Sequence, residues 1–153
     1  MEHTNDSDDG AADVYEAHYR PLIGLATLLT GSRAVAEDVV QDVFTAALPR
    51  WATIQNPEHY LKRSVVNRVR SLGRRDTRAR SLGRPRERVT GEPELDEAWR
   101  LLRNLPPHQR AVLVMRIYLD LPDVEIAELL GCPETTVRSR AFRALASLRK
   151  ELQ

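Results

Sequence analysis

Apolar residues all but vanish between residues 73 and 93, and what remains there is rich in Arg, Gly and Pro. A segment of that composition cannot bury a core of its own and reads as a linker. It divides the 153-residue chain into two pieces, residues 13–72 and 94–153. Pieces that small bury proportionately little surface and are marginally stable alone. A binding partner would then add much to their working stability. Hydrophobic residues make up 42% of the chain and aromatics 5%, so the cores must be built from Leu, Val and Ala rather than stacked rings.

Both pieces repeat apolar residues at three- and four-residue spacing, which predicts helices and no strands. Residues 1–12 are small, acidic and polar, and are expected to be a disordered tail. Periodicity starts near Val14, and Leu22, Leu25, Ala26 and Leu29 form a stripe that stops at Gly31. Ser32 then caps a second helix, with Val35, Val39, Val40, Val43, Phe44 and Ala47 on one side and Pro49 as its end. A loop over residues 50–58 holds Trp51 and the turn signal Asn56-Pro57. The third helix points Tyr60, Leu61, Val65, Val66 and Val69 inward, and its periodicity fades after Leu72, although the start of the linker can prolong it. Four helices are expected in residues 94–153: one through Leu95, Ala98, Leu101 and Leu102, one from His108 to Tyr118, one near 122–130 and one near 133–152. The predicted fold is all-α, two small helical domains joined by a flexible basic linker.

The formal net charge is only +1, but it is unevenly spread. The first thirteen residues carry Glu2, Asp6, Asp8, Asp9 and Asp13 and no Lys or Arg, whereas residues 62–88 carry Lys62 and ten Arg against Asp76 and Glu87. Such a run is either the footprint of a polyanion partner or a linker kept soluble by charge. Lys62 and Lys150 are the only lysines. Arg suits bidentate contact with phosphate or guanine, and codon bias in a GC-rich genome accounts for the excess equally well. Cys132 is the only cysteine, which excludes an intramolecular disulfide and a cysteine-based zinc site and suits a reducing cytosol. The N-terminus lacks a basic leader followed by an apolar run, and no apolar run approaches a membrane span. A cytoplasmic protein with no further domain after Leu152 is expected.

The most specific local pattern lies in residues 122–148. Ile126, Ala127, Leu129 and Leu130 are the buried face of a short helix; Gly131 allows a sharp left-handed turn; Pro133 begins the next helix. Val137, Ala141, Ala144, Leu145 and Leu148 form that helix's apolar stripe. This is the layout of a DNA-binding helix-turn-helix, and also of an ordinary helical hairpin with a polar face. Thr135, Thr136, Arg138, Ser139, Arg140 and Arg143 lie largely off the stripe, where hydroxyl and guanidinium groups reach phosphates and base edges. Glu134 at the entrance either reads a cytosine amine or favours the helix N-terminus.

Glu37, Asp38, Gln41 and Asp42 group on the second helix. With no His at a matching i+3 or i+4 position, a di-metal site is not expected. The cluster is either a solvated face or a docking face for a basic protein.

These residues resemble the extracytoplasmic-function (ECF) family of sigma factors. Ala36-Glu37-Asp38-Val39-Val40-Gln41-Asp42-Val43-Phe44 looks like the family's AEDLVQEAF motif. Tyr60-Leu61 with Val65-Val66-Asn67 looks like its YL…VVVN helix, and Leu105-Pro106-Pro107-His108-Gln109-Arg110 like LPPRQR. Glu125-Ile126-Ala127-Glu128-Leu129-Leu130-Gly131-Cys132 and Thr136-Val137-Arg138-Ser139-Arg140 look like EIAELLGC…TVKSR. The resemblance covers about residues 14–72 and 95–152, with four motifs in order. It implies that Glu37, Asp38, Val39, Gln41, Asp42 and Phe44 dock on the clamp helices of the largest subunit of core RNA polymerase. Trp51, Asn56, Tyr60, Arg63, Asn67 and Arg70 would open and read the minus-ten element, Trp51 being equally suited to the core. Holding an extruded base costs a few kcal/mol, so a pocket with a cationic floor is needed. Glu134, Thr135, Thr136, Arg138, Ser139, Arg140 and Arg143 would read the minus-thirty-five element. The family also implies promoter DNA and an anti-sigma factor as partners, and a linker that runs through the polymerase toward the RNA exit path. Two weak DNA readers on one tether gain effective concentration. The chain departs from the family at Pro122, which forfeits a side-chain cap, at Pro133, and at Thr135, which stands where Gly is frequent.

Two other functions compete. A DNA-binding regulator that recruits no polymerase would share the helix-turn-helix but would have no use for the acidic helix. An enzyme is not expected: His3, His18, His59 and His108 are scattered, Cys132 sits in a turn, and no nucleotide loop or zinc-protease pattern occurs. No catalytic residue, metal or cofactor is assigned.

Overall fold

The computed structural model describes residues 6–80 and 93–153. Among the described residues seven α-helices follow one another: α1 Asp6–Thr30, α2 Arg33–Ala47, α3 Pro57–Arg80, α4 Pro93–Leu102, α5 Pro107–Leu113, α6 Asp123–Leu130 and α7 Glu134–Leu152. A 3-10 stretch, Leu48–Thr53, follows α2, and a π turn, Val114–Tyr118, continues α5. No strand occurs among the described residues.

Helices α1, α2 and α3 form the first domain. Leu25 and Ala26 of α1, Ala36, Val40 and Ala47 of α2, and Leu61 and Val65 of α3 are fully buried together. Each fully buried Val or Leu contributes about 1.5–3 kcal/mol relative to exposure. Tyr15, with Tyr19 stacked on it at 5.0 Å, packs its ring 4.7 Å from Phe44. The turn between α1 and α2 is set by two residues. Gly31 takes a left-handed backbone (φ 75°) that ends α1, and the Ser32 hydroxyl accepts from the Val35 N–H at 3.2 Å to cap α2.

One boundary differs from the sequence reading, and a second takes the longer of its two forms. Helix α1 begins at Asp6, inside the expected disordered tail. Helix α3 continues through Gly73 to Arg80, the prolongation into the start of the linker that the sequence reading allowed. Residues 1–5 of the expected tail and residues 81–92 of the linker lie outside the described residues.

The second domain is α4 to α7. Ile126 and Leu130 of α6, Val137 and Ala141 of α7, and Val112 and Met115 of the α5 segment are buried. Pro122 precedes α6 and gives no side-chain cap, while Gly131 ends it in the left-handed region at φ 64° and ψ 38°. Asp120 also has a positive φ of 53°, a conformation that Asp tolerates better than most residues. The π turn is marked by the Leu119 N–H donating to the Val114 carbonyl at 3.3 Å, one residue beyond α-helical spacing.

The domains pack against each other. One continuous apolar cluster includes buried residues of α1, α2 and α3 as well as of α6 and α7. The crossing contacts run from α1 to α4, α5 and the π turn, and from α3 to α6. The picture of two domains separated on a tether therefore omits an interdomain contact.

A Cβ at Gly131 would meet nothing within 4 Å, so its substitution tests the backbone alone. Gly131→Ala is expected to cost about 1–2 kcal/mol, the left-handed penalty of an L-residue, in urea unfolding followed by circular dichroism.

Candidate DNA and polymerase interfaces

Helix α2 turns two unlike faces outward and inward. Glu37, Asp38, Gln41 and Asp42 are exposed. Val39 (1% exposed) and Phe44 (3%) are core. This corrects their assignment as docking residues, because a side chain at either position fixes α2 on α1 and α3 and cannot reach a partner. Glu37 pairs with Arg33 at 3.3 Å and Asp42 with Arg68 of α3 at 3.0 Å. Both pairs are solvent-exposed and therefore weak, so a stronger basic partner can displace them.

The minus-ten candidates fall in two groups. Trp51, half-buried in the 3-10 stretch, packs on the core cluster. Asn56 caps α3, its side-chain oxygen accepting from the His59 N–H at 3.2 Å. Tyr60 is half-buried; its hydroxyl accepts from an Arg50 guanidinium nitrogen at 3.1 Å, and the guanidinium lies 5.9 Å from its ring centroid. Arg63, Asn67 and Arg70 are exposed along α3. Lys62 bonds Glu58 at 2.8 Å, and that bond and charge hold the Glu58 carboxyl below the usual range. Arg50 was not singled out in the sequence; its partner Tyr60 lies ten residues away, beyond any helical spacing.

On α7, Val137, Ala141 and Ala144 are buried, so the helix turns Thr135, Arg138, Ser139 and Arg143 outward. Glu134 is exposed in the first turn, and Thr136 is half-buried. Arg140, also half-buried, lies over the turn with a guanidinium nitrogen 4.0 Å from the Cys132 sulfur. Two further residues belong to this surface. Phe142, one turn beyond Arg138, is 74% exposed, an apolar group that no packing explains. The off-stripe position of Phe142 is the signal that locates it in the sequence. His108 of α5 is the other. Desolvation, then the guanidinium groups of Arg140 and Arg143, hold its imidazole below the ordinary value of 6.5.

Among the described residues no group of three or more His, Cys, Asp or Glu side chains could hold a metal ion, and no helix is long and apolar enough to cross a membrane.

The geometry is that of a sigma-70-type promoter reader in two parts. The family described as Sigma-70 region 2 matches residues 14–79, and Sigma-70, region 4 matches residues 95–148. The RNA polymerase sigma-E factor of Streptomyces coelicolor is 33% identical over 86% of this chain and 79% of its own. The ECF RNA polymerase sigma factor ShbA of Streptomyces griseus is 31% identical over 87% of this chain and 83% of its own. The solved structure of CnrH, in complex with the cytosolic domain of CnrY, is similar with a TM-score of 0.70 at 25% identity, covering 95% of this chain and 88% of that one. The chain belongs to the ECF family of RNA polymerase sigma factors.

The depressed His108 value has a checkable sign. The unfolded chain binds this proton more readily than the folded one, so His108 costs no stability above about pH 6.5 and destabilises the fold as pH falls through that value. In an NMR titration the His108 midpoint should lie below 6.5 and should rise in Arg143→Ala.

Proposed function

We propose that this chain is the promoter-specificity subunit that core RNA polymerase recruits for a particular gene set, working in the cytoplasm by binding rather than by catalysis. The observation that carries the reading is the pairing of an exposed acidic α2 face with an exposed cationic α7 face on one small chain. An acidic face beside DNA would be repelled, so Glu37, Asp38, Gln41 and Asp42 suit a basic protein surface, the clamp helices of the largest polymerase subunit. Arg63, Asn67 and Arg70, with Tyr60 and Trp51 at the entry to α3, suit the minus-ten element. Asn56 contributes as the cap that orients this entry. Thr135, Arg138, Ser139, Arg143 and Phe142 suit the minus-thirty-five element. Guanidinium groups there supply phosphate and guanine contacts, and Phe142 supplies an apolar contact of the kind a thymine methyl accepts. Glu134, Thr136 and Arg140 flank this surface. The CnrH structure is of a complex with the cytosolic domain of CnrY, and a protein regulator of the anti-sigma kind is proposed for this chain.

Run-off transcription by core polymerase, with and without the chain, over genomic promoter fragments at fixed salt tests the reading. New transcripts below a shared two-part motif are the expected result. DNA binding with no transcript and no core binding would leave a plain helix-turn-helix regulator instead. Glu37→Lys with Asp38→Lys should weaken core binding by at least about tenfold. The unfolding free energy should stay within roughly 0.5 kcal/mol, because both sites are exposed. Arg143→Ala should weaken all duplexes alike and lower the salt slope of binding by about 1.

A further inference from the structure

We propose that Arg50 is a further promoter-binding residue: it positions the Tyr60 ring at the start of α3 and offers cationic N–H groups to the phosphates of an opened minus-ten strand. This role rests on the sigma reading proposed above.

Residues 50–60 lead from the 3-10 stretch into α3 and carry three of the minus-ten candidates, Trp51, Asn56 and Tyr60. Local hydrogen bonds set each end of this segment. The Thr53 hydroxyl donates to the Arg50 carbonyl at 2.7 Å, and the Tyr60 N–H donates to the Asn56 carbonyl at 3.0 Å. The Arg50 side chain joins the two ends, its guanidinium donating to the Tyr60 hydroxyl at 3.1 Å. With the hydroxyl held and the rest of the side chain packed on the core cluster, the Tyr60 ring has little freedom left.

A side chain ordered in advance loses less entropy on binding. For an aromatic ring that receives an unstacked base, this order is part of the affinity. Arg50 does not cover the ring. Its guanidinium is bonded to the hydroxyl yet lies 5.9 Å from the ring centre, so it sits off the hydroxyl end rather than flat on a face.

Charge supplies the second half of the role. Lys62, Arg63 and Arg68 each face a carboxylate. Among the described residues Arg50, which is exposed, faces only the neutral Tyr60 hydroxyl and ring. A guanidinium has five N–H donors, so several remain for phosphate oxygens, and a phosphate arriving there displaces no ion pair. Such charge-assisted bonds are among the strong ones. A closed duplex hides its base faces, so a ring held for stacking acts only once the strand has opened.

The test separates the opened strand from the duplex. Core polymerase carrying the full chain is titrated with two DNAs cut from a fragment active in run-off transcription. One is a duplex ending just upstream of the minus-ten element; the other adds the minus-ten strand as a single-stranded overhang. The chain alone is titrated with a labelled mixed-sequence single strand. Arg50→Ala should weaken binding of the overhang DNA about tenfold and leave the plain duplex within about twofold. Tyr60→Phe should weaken the overhang DNA about threefold, and the double variant should bind no more weakly than Arg50→Ala alone. Arg50→Lys keeps the charge and should restore the salt dependence but not the full affinity. No effect of Arg50→Ala in either titration, or equal losses on both DNAs, would overturn a role in strand capture. Losses that multiply in the double variant would overturn positioning through Tyr60. If no fragment gave a transcript but Arg50→Ala still weakened the single strand about tenfold, the sigma reading would fall and the Arg50 site would stand.

Discussion

The arrangement of the molecule depends on one buried cation. Arg110 donates to the carbonyl of Leu29 in the last turn of α1, where the helix leaves carbonyls without intrahelical partners and carries partial negative charge. Burying a guanidinium is costly unless it is hydrogen-bonded and faces complementary charge. The α1 terminus supplies the first and the Trp99 ring face the second. Each group answers a need of the other across the domain boundary. Gly31 is what makes this possible. Its left-handed backbone ends α1 and leaves room for the Trp99 ring against the chain.

Much of the fold was legible because it follows from spacing. The stripe Leu22, Leu25, Ala26 and Leu29, the Ser32 cap and the Gly131 turn act within a few residues, and the structure contains all three. The interdomain contact was not legible, for a physical reason. Its participants, Gly24, Gly31, Trp99, Arg110 and Tyr118, are far apart in sequence and each has a sufficient local explanation. A glycine in a helix, an Arg after a Pro pair and a Tyr at a helix end carry no periodic signal that joins them. The candidate site shows the same limit. Residues on one helix, such as Arg138 and Arg143, separate into inward and outward sets by spacing. Val39 and Phe44 sit in a motif taken whole from the resemblance, although their place in the apolar stripe already marks them as core. The Arg50–Tyr60 contact bridges a loop, so no spacing rule reaches it.

The two outward faces, acidic on α2 and cationic on α7, constrain each other through charge. A single small domain that carried both would pair them internally, as Arg68 already does with Asp42 across α2 and α3. Placing them on separate domains keeps each available. It also gives the second domain carboxylates of its own, on α6, that are free to lie along α3. The same division that preserves the two binding faces therefore creates the possibility of self-pairing.

Thr27 shows that the packing around α1 is not tuned for maximal stability. It lies three residues after Gly24 and four before Gly31, so it shares their side of α1, and its residue surface is fully buried. Among the described residues its hydroxyl has no hydrogen-bond partner. A buried hydroxyl left unpaired costs about 1–3 kcal/mol. Val, nearly the same shape without the hydroxyl, would remove that penalty from the folded state. A chain selected only for compactness would carry it here.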